Sequence, residues 1–380
     1  MKRTAHNWWT QGWVFIACCM ISSSLIAQTG AVQGIVARPT SVGPAIGIPA
    51  AGNSARQQVD ALYAQATTAK TAEELTQALG LAKQITPEDP QTRDYLKNLT
   101  AWLHNRRGEM LTQLAHEQTK AGRPAEAATL EEQAVQDFTA SIQLKANGRA
   151  FHNRGVSLAT QGKFKEAIED FSQCLAMNPS YANARFNRAE LYLELGQYED
   201  SENDYSMVIS AQPTDSAALI GRGHVRFYRG QFEDSLMDFN DAIVRDPGNA
   251  LAYADRADLY SYLGRWEPAA RDYRMAIRID GNLGRAYQSA AWLMATCPDD
   301  RFRDQQLALR AAKRAIDLEG SRDYRYLDTL AAAQANAGLY PQAQQSLQQA
   351  LQAAPSEVVV ELEERMTLYQ ANRPYRDVPR

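Results

Sequence analysis

The sequence predicts an all-α fold built as a helical-repeat solenoid, a superhelix of antiparallel helix pairs. Three observations carry that prediction. Alanine, leucine, glutamine and arginine recur along the 380 residues while alternating Val/Ile-rich runs are scarce, which favours helix over strand. From about residue 148 onward, positions of one chemical type return every 34 residues, the mark of a stacked two-helix unit. Glycines and prolines fall between the apolar segments rather than within them, where they end helices.

Residues 1–27 read as an export signal. Lys2 and Arg3 give a positive start, Trp13 to Ala27 is largely apolar, and Leu25-Ile26-Ala27 places a small residue at a cleavage position. The apolar stretch is short for a membrane span. The alternative is an uncleaved N-terminal anchor, and a lipoprotein reading through Cys18 suffers from the brevity of the apolar run before it. Cleavage after Ala27 leaves 38 basic and 44 acidic residues, net −6, so nothing resembles an electrostatic footprint for nucleic acid. The chain is thus expected to be exported and periplasmic or envelope-associated, touching membrane only if the signal stays uncleaved. Cys174 and Cys297 alone remain after cleavage, far apart in sequence, and no structural disulfide is expected.

Residues 28–53 carry Gly30, Gly34, Pro39, Gly43, Pro44, Gly47, Pro49 and Gly52 with almost no charge, and read as a flexible linker. An N-terminal helical segment follows over 54–99, with a capping box at Thr71-Ala72-Glu73-Glu74 and breaks at Pro87 and Pro90. The array proper is expected at 148–181, 182–215, 216–249, 250–283, 284–323 with an insertion, and 324–357. Gly155, Ala189, Gly223 and Ala257 stand 34 residues apart, as do Gly162, Gly196, Gly230 and Gly264. Phe171, Tyr205, Phe239 and Tyr273 keep the same step, and Pro179, Pro213 and Pro247 close three units. Small residues let two helices approach, the glycine takes the turn between them, and the aromatics fill the space between neighbouring helices.

This spacing, small–Gly–aromatic–small–aromatic–Pro as in Gly155, Gly162, Phe164, Ala167, Phe171 and Pro179, resembles the tetratricopeptide repeat (TPR) over about residues 100–357. Asn153-Arg154-Gly155 and Asn187-Arg188-Ala189 are similar to its Asn-Arg-Gly subtype. The resemblance implies helix-pair superhelices that bind peptide segments or whole protein partners. Residues 100–147 carry the same marks stretched by seven residues in each half, about two helical turns, so one oversized, degenerate hairpin is expected there. Residues 358–380 are expected to form a capping helix and tail, with Val358, Leu362 and Tyr369 covering the last apolar face.

An arginine column, Arg154, Arg188, Arg222 and Arg256 with Arg107 before it, raises the question of an anion-binding stripe. Aspartates lie sixteen residues after the four array arginines, at Asp170, Asp204, Asp238 and Asp272, and where the arginine is lost the aspartate is lost too. Paired appearance and loss predicts a structural ladder of bidentate ion pairs. The histidines His104, His116, His152 and His224 lack metal-ligand spacing, and no nucleophile elbow or phosphate loop is present, so neither a metal nor a cofactor is expected and the protein reads as no enzyme. In TPR proteins positions 2, 5, 9, 12 and 13 of the first helix face the concave side. The resemblance therefore assigns partner binding to His152, Phe186, Glu190, His224, Tyr228, Asp258, Tyr262 and Trp292, with an extended peptide meeting the aromatics Phe186, Tyr228, Tyr262 and Trp292 in turn. The bland alternative for each is packing against a neighbouring helix. The lysine–asparagine carboxylate clamp of some TPR proteins is absent. The expected function is a non-catalytic scaffold binding a protein or peptide partner. Its rivals are an assembly factor of an envelope complex and an enzyme using a Cys297 thiol exposed in the inserted loop.

Overall fold

The computed structural model describes residues 54–320 and 322–377. The expected signal at 1–27 and linker at 28–53 lie outside the described residues. The described chain is all-α and falls into two compact units, residues 54–211 and residues 212–377.

The first unit contains eight helices: α1 (Ser54–Thr68), α2 (Ala72–Ala82), α3 (Pro90–Lys120), α4 (Pro124–Leu144), α5 (Gly148–Thr160), α6 (Phe164–Met177), α7 (Ala182–Glu194) and α8 (Tyr198–Ala211). Helix α2 starts on the capping box, Thr71 accepting from Glu74 N–H while Glu74 accepts from Thr71 N–H. Helices α3 and α4 are 31 and 21 residues long against 13 and 14 for α5 and α6, so the stretched repeat is a long hairpin.

The second unit contains nine: α9 (Ser216–Tyr228), α10 (Phe232–Arg245), α11 (Ala250–Tyr262), α12 (Trp266–Ile279), α13 (Gly284–Thr296), α14 (Gln305–Glu319), α15 (Tyr324–Asn336), α16 (Tyr340–Ala353) and α17 (Ser356–Gln370). A short 3-10 turn over Asp300–Phe302 fills the insertion before α14. Helix α17 closes the unit, burying Val358, Leu362 and Tyr369 against Leu327, Leu347 and Ala350. No helix among the described residues is long and apolar enough to cross a membrane.

The repeat chemistry explains the pairs. Gly122, Gly162, Gly196, Gly230, Gly264 and Gly338 sit at φ between 70° and 75°, each ending the first helix of a pair. After α5, for example, Lys163 N–H reaches back to Leu158 O at 2.9 Å and Gly162 N–H to Ala159 O at 2.9 Å, and α6 begins at the next residue. At the crossing of each pair a small residue meets a ring. A Cβ on Gly155 would lie 2.8 Å from Phe171, and one on Gly223 2.8 Å from Phe239. The intervening pairs carry Ala189 with Tyr205 and Ala257 with Tyr273, all buried.

The arginine column is a set of two-pronged ion pairs. Arg154 Nε and Nη2 each donate to Asp170 at 2.8 Å, Arg188 to Asp204 at 2.7 and 2.9 Å, and Arg256 to Asp272 at 2.7 and 2.9 Å. Arg222 meets Asp238 at 3.0 and 2.7 Å, where Arg226 also donates at 2.8 Å. In the long hairpin Arg107 meets Asp137 at 2.7 Å with both prongs. The remaining nitrogen Nη1 reaches the preceding helix: Arg154 to Thr139 at 3.1 Å, Arg188 to Ser172 at 2.9 Å and Arg256 to Asn240 at 2.6 Å. The planar guanidinium thus ties two helices of one pair to the pair before.

Candidate interaction surface on the inner helices

Within each unit the first helix of a pair touches not only its own partner but also the first helix of the next pair, as α5 does α7 and as α9 does α11. These first helices form an inner row within each unit, and the residues assigned to partner binding lie on them.

In the first unit the row is a polar network. Glu109 on α3 accepts from Asn105 at 2.8 Å, Arg149 at 2.7 Å and Asn153 at 2.9 Å. His152 contacts Asn153 and Asn187 at 3.3 Å through its two ring nitrogens and stacks on Tyr181 with centroids 5.0 Å apart. Burial pushes the imidazole down to about 4, so it is neutral in the folded protein at ordinary pH. Phe186 is only 3% exposed, its ring edge-on to Tyr205, whose hydroxyl donates to the buried Glu190. His152, Phe186 and Glu190 are therefore held inside the packing. The expectation that Phe186 presents its ring to a ligand is corrected by this burial.

In the second unit the same positions carry a buried charge cluster. Arg285 on α13 donates to Asp255 and lies 3.6 Å from Asp258, His224 Nε2 lies 3.3 Å from Asp255, and Tyr273 donates to Asp258 at 2.7 Å. Burial pushes Asp258 up to about 6 despite Arg285 beside it. Burial acts the same way on Asp255, but Arg285 and His224 outweigh it and hold that carboxyl below its ordinary value. His224 and Asp258 are thus part of this internal cluster. Tyr228 and Tyr262 are half-buried, both rings edge-on to Phe227 at 5.7 and 5.3 Å. They are the members of the expected aromatic row that remain partly presented.

Trp292 is covered by the chain's own end. Its indole Nε1 donates to Asp377 at 3.0 Å, Tyr375 lies against its ring at 5.8 Å, and the Arg365 guanidinium is 5.4 Å from its centroid. Beside this contact a cleft of about 500 Å³ is lined by Arg303, Asp304, Asn336 and Arg376 among others. The residues that sequence reasoning missed are Tyr375, Arg376 and Asp377. Their only signal is Asn372 followed by Pro374, which ends a helix and turns the chain.

Cys297 is not the exposed loop thiol that the enzyme alternative expected. It is 1% exposed in an apolar cluster with Tyr273 and Leu293, and burial raises its thiol, the reverse of what a nucleophile needs. Cys174 is likewise a buried free thiol, pushed up to about 11. Among the described residues no group of three or more His, Cys, Asp or Glu side chains is placed to hold a metal ion.

Two profiles of the tetratricopeptide repeat match the sequence, over residues 158–220 and 220–283. Residues 158–283 therefore carry tetratricopeptide repeats. No curated protein matches it. Among solved structures, a tetratricopeptide repeat protein from Parabacteroides merdae is similar at 19% identity and TM-score 0.49, over 69% of this chain and 98% of the other. Yeast Tom70 is similar at 14% identity and TM-score 0.49, over 97% and 75%. YrrB, described as a TPR protein with an unusual peptide-binding site, is similar at 17% identity and TM-score 0.40, over 53% and 97%.

Proposed function

We propose that the protein is a non-catalytic scaffold that holds a segment of a protein partner on its inner helices, acting in the cell envelope after export. The observation that supports this most is the contrast between ladder and inner row. The Arg–Asp pair recurs in each of the four pairs over 148–283, whereas the exposed second position of the first helix runs Arg149, Asn183, Ala217 and Leu251. A surface that varies on a constant frame is suited to recognition of an irregular sequence.

The test is capture of the partner by the mature chain and its variants. Tyr228→Ala and Tyr262→Ala are expected to weaken capture by at least about 2 kcal/mol each, roughly thirtyfold. Exposed Glu169→Ala should leave it unchanged. Melting curves accompany each variant, because Tyr262 also packs on Phe232 at 5.2 Å. Normal capture by both tyrosine variants, with loss on shortening the α3–α4 hairpin, would move recognition to that hairpin. For export, Lys2, Arg3 and the apolar run to Ala27 support cleavage, and N-terminal sequencing of the mature protein is expected to begin near Gln28. An intact Met1 on a membrane-bound form would reject it.

A further inference from the structure

The inner face of the last helix pairs already holds an extended segment, and that segment is the chain's own end. At the end of α17 Asn372 adopts φ 53°, a left-handed turn that asparagine tolerates, and Arg373 N–H reaches back to Leu368 O at 2.9 Å. Pro374 then keeps the helix from resuming, and the chain runs back over α15 and α13.

Three successive side chains are read by three different chemistries. Tyr375 lies against Trp292, and the Arg365 guanidinium is 5.3 Å from the tyrosine centroid, within cation–π range. Arg376 donates to Ala295 O at 2.9 Å and to Asn336 Oδ1 at 3.0 Å. Asp377 accepts from the Trp292 indole at 3.0 Å, and its own N–H donates to Thr296 O at 2.9 Å. The receiving groups all belong to α13, α15 and α17. Arg365 is 2% exposed and already paired with Asp328 at 2.9 Å, so its platform does not depend on the tail.

We propose that this face is a binding channel for an extended partner segment in which an aromatic residue, an arginine and an acidic residue follow one another. Residues 373–377 occupy it as an internal ligand until such a partner displaces them. This rests on the scaffold reading above and narrows it to one surface and one ligand chemistry. A tethered tail competes at an effective concentration of the order of millimolar, so a partner gains the channel by adding contacts beyond the triplet.

The test uses a fluorescein-labelled peptide with the sequence of residues 372–380 and a chain ending at Ala371. The shortened chain is expected to bind the peptide saturably, and the full chain at least tenfold more weakly. Peptides carrying Tyr375→Ala or Asp377→Asn should lose at least tenfold. If shortening unfolds the protein by circular dichroism, the full-length variant Arg376→Ala/Asp377→Asn loosens the tail in place and must bind the peptide instead. A folded acceptor that ignores the peptide, or equal binding to the unaltered chain, overturns the proposal. So does dimerisation of the full chain that vanishes on shortening, which would assign the channel to a second copy. If the peptide fails while Tyr228→Ala and Tyr262→Ala still weaken partner capture, the channel is wrong and the scaffold reading stands.

Discussion

Arg256 is where the ladder is best tested. Its guanidinium makes two charge-assisted hydrogen bonds to Asp272 and a third to Asn240 on α10, and its face lies 5.6 Å from the Tyr253 ring centroid. Asp272 is 4% exposed, so Arg256→Ala strands a carboxylate that water reaches poorly, a loss of about 3–5 kcal/mol. Asp272→Asn strands less, because the guanidinium keeps Asn240 and its aromatic neighbours, and about 2 kcal/mol is expected. The double variant removes both charges and should recover about 2 kcal/mol of the summed losses, which is the coupling. Urea unfolding followed by circular dichroism reads the four corners of the cycle. Hydrogen exchange in α11 and α12 guards against local opening, since repeat arrays need not unfold in one step. A coupling below about 0.5 kcal/mol would refute the ladder as a stabilising device. Arg222→Ala supplies an internal control. Arg226 already donates to Asp238 at 2.8 Å, so its carboxylate keeps a cation and the loss should be clearly smaller than at Arg256.

Two further outcomes follow from the inner row and the helix crossings. His152 titrates near 6.5 when unfolded and about 4 when folded, because burial disfavours the imidazolium. Its contribution is fully present above pH 6.5 and lost as pH falls towards 4, roughly 3 kcal/mol in all, and His152→Gln should flatten that part of a stability–pH curve measured against the unaltered chain. Gly223→Ala places a Cβ 2.8 Å from the buried Phe239 ring. Overpacking of about 1–3 kcal/mol should exceed the roughly 1 kcal/mol gained in helix propensity, so thermal melting should shift downward.

What was legible in the sequence was whatever repeats. A 34-residue period fixes where helices start, where glycine turns them and which small residue faces which ring. The sixteen-residue step from arginine to aspartate is the distance from one helix across its turn to the facing position on the next, so the ion pairs could be read without coordinates. The long hairpin showed itself as a stretched interval. What breaks the period was not legible. The contact of Trp292 with Tyr375 and Asp377 joins a repeat to a tail that belongs to no repeat. Cys297 sits in an insertion, and only the fold shows Tyr273 and Leu293 packed over it. Phe186 and Glu190 were misread for a different reason. A position number says which way a side chain leaves its helix, and it does not say that Tyr205 from the partner helix takes up both.

The crossings also bear on recognition, because frame and surface are not separate in alternate pairs. Within the four pairs over 148–283, where the small residue is glycine the facing ring is phenylalanine, and the ninth position of the first helix carries Val156 or His224. Where it is alanine the ring is tyrosine, and the ninth position is an acid, Glu190 or Asp258, that accepts from the tyrosine hydroxyl. The extra methyl group and the hydroxyl therefore travel together with a carboxylate on the inner row. A buried carboxylate without a donor is costly, so in these two pairs the acid and the tyrosine hydroxyl satisfy each other, whereas Glu109 beside Gly108 takes its donors from Asn105, Arg149 and Asn153. Selection for a partner that prefers or avoids negative charge at that position must then act on the core ring as well. At these two pairs inner-row chemistry thus changes by coupled substitution of two residues fifteen apart in sequence, and single substitutions there report on packing before they report on binding.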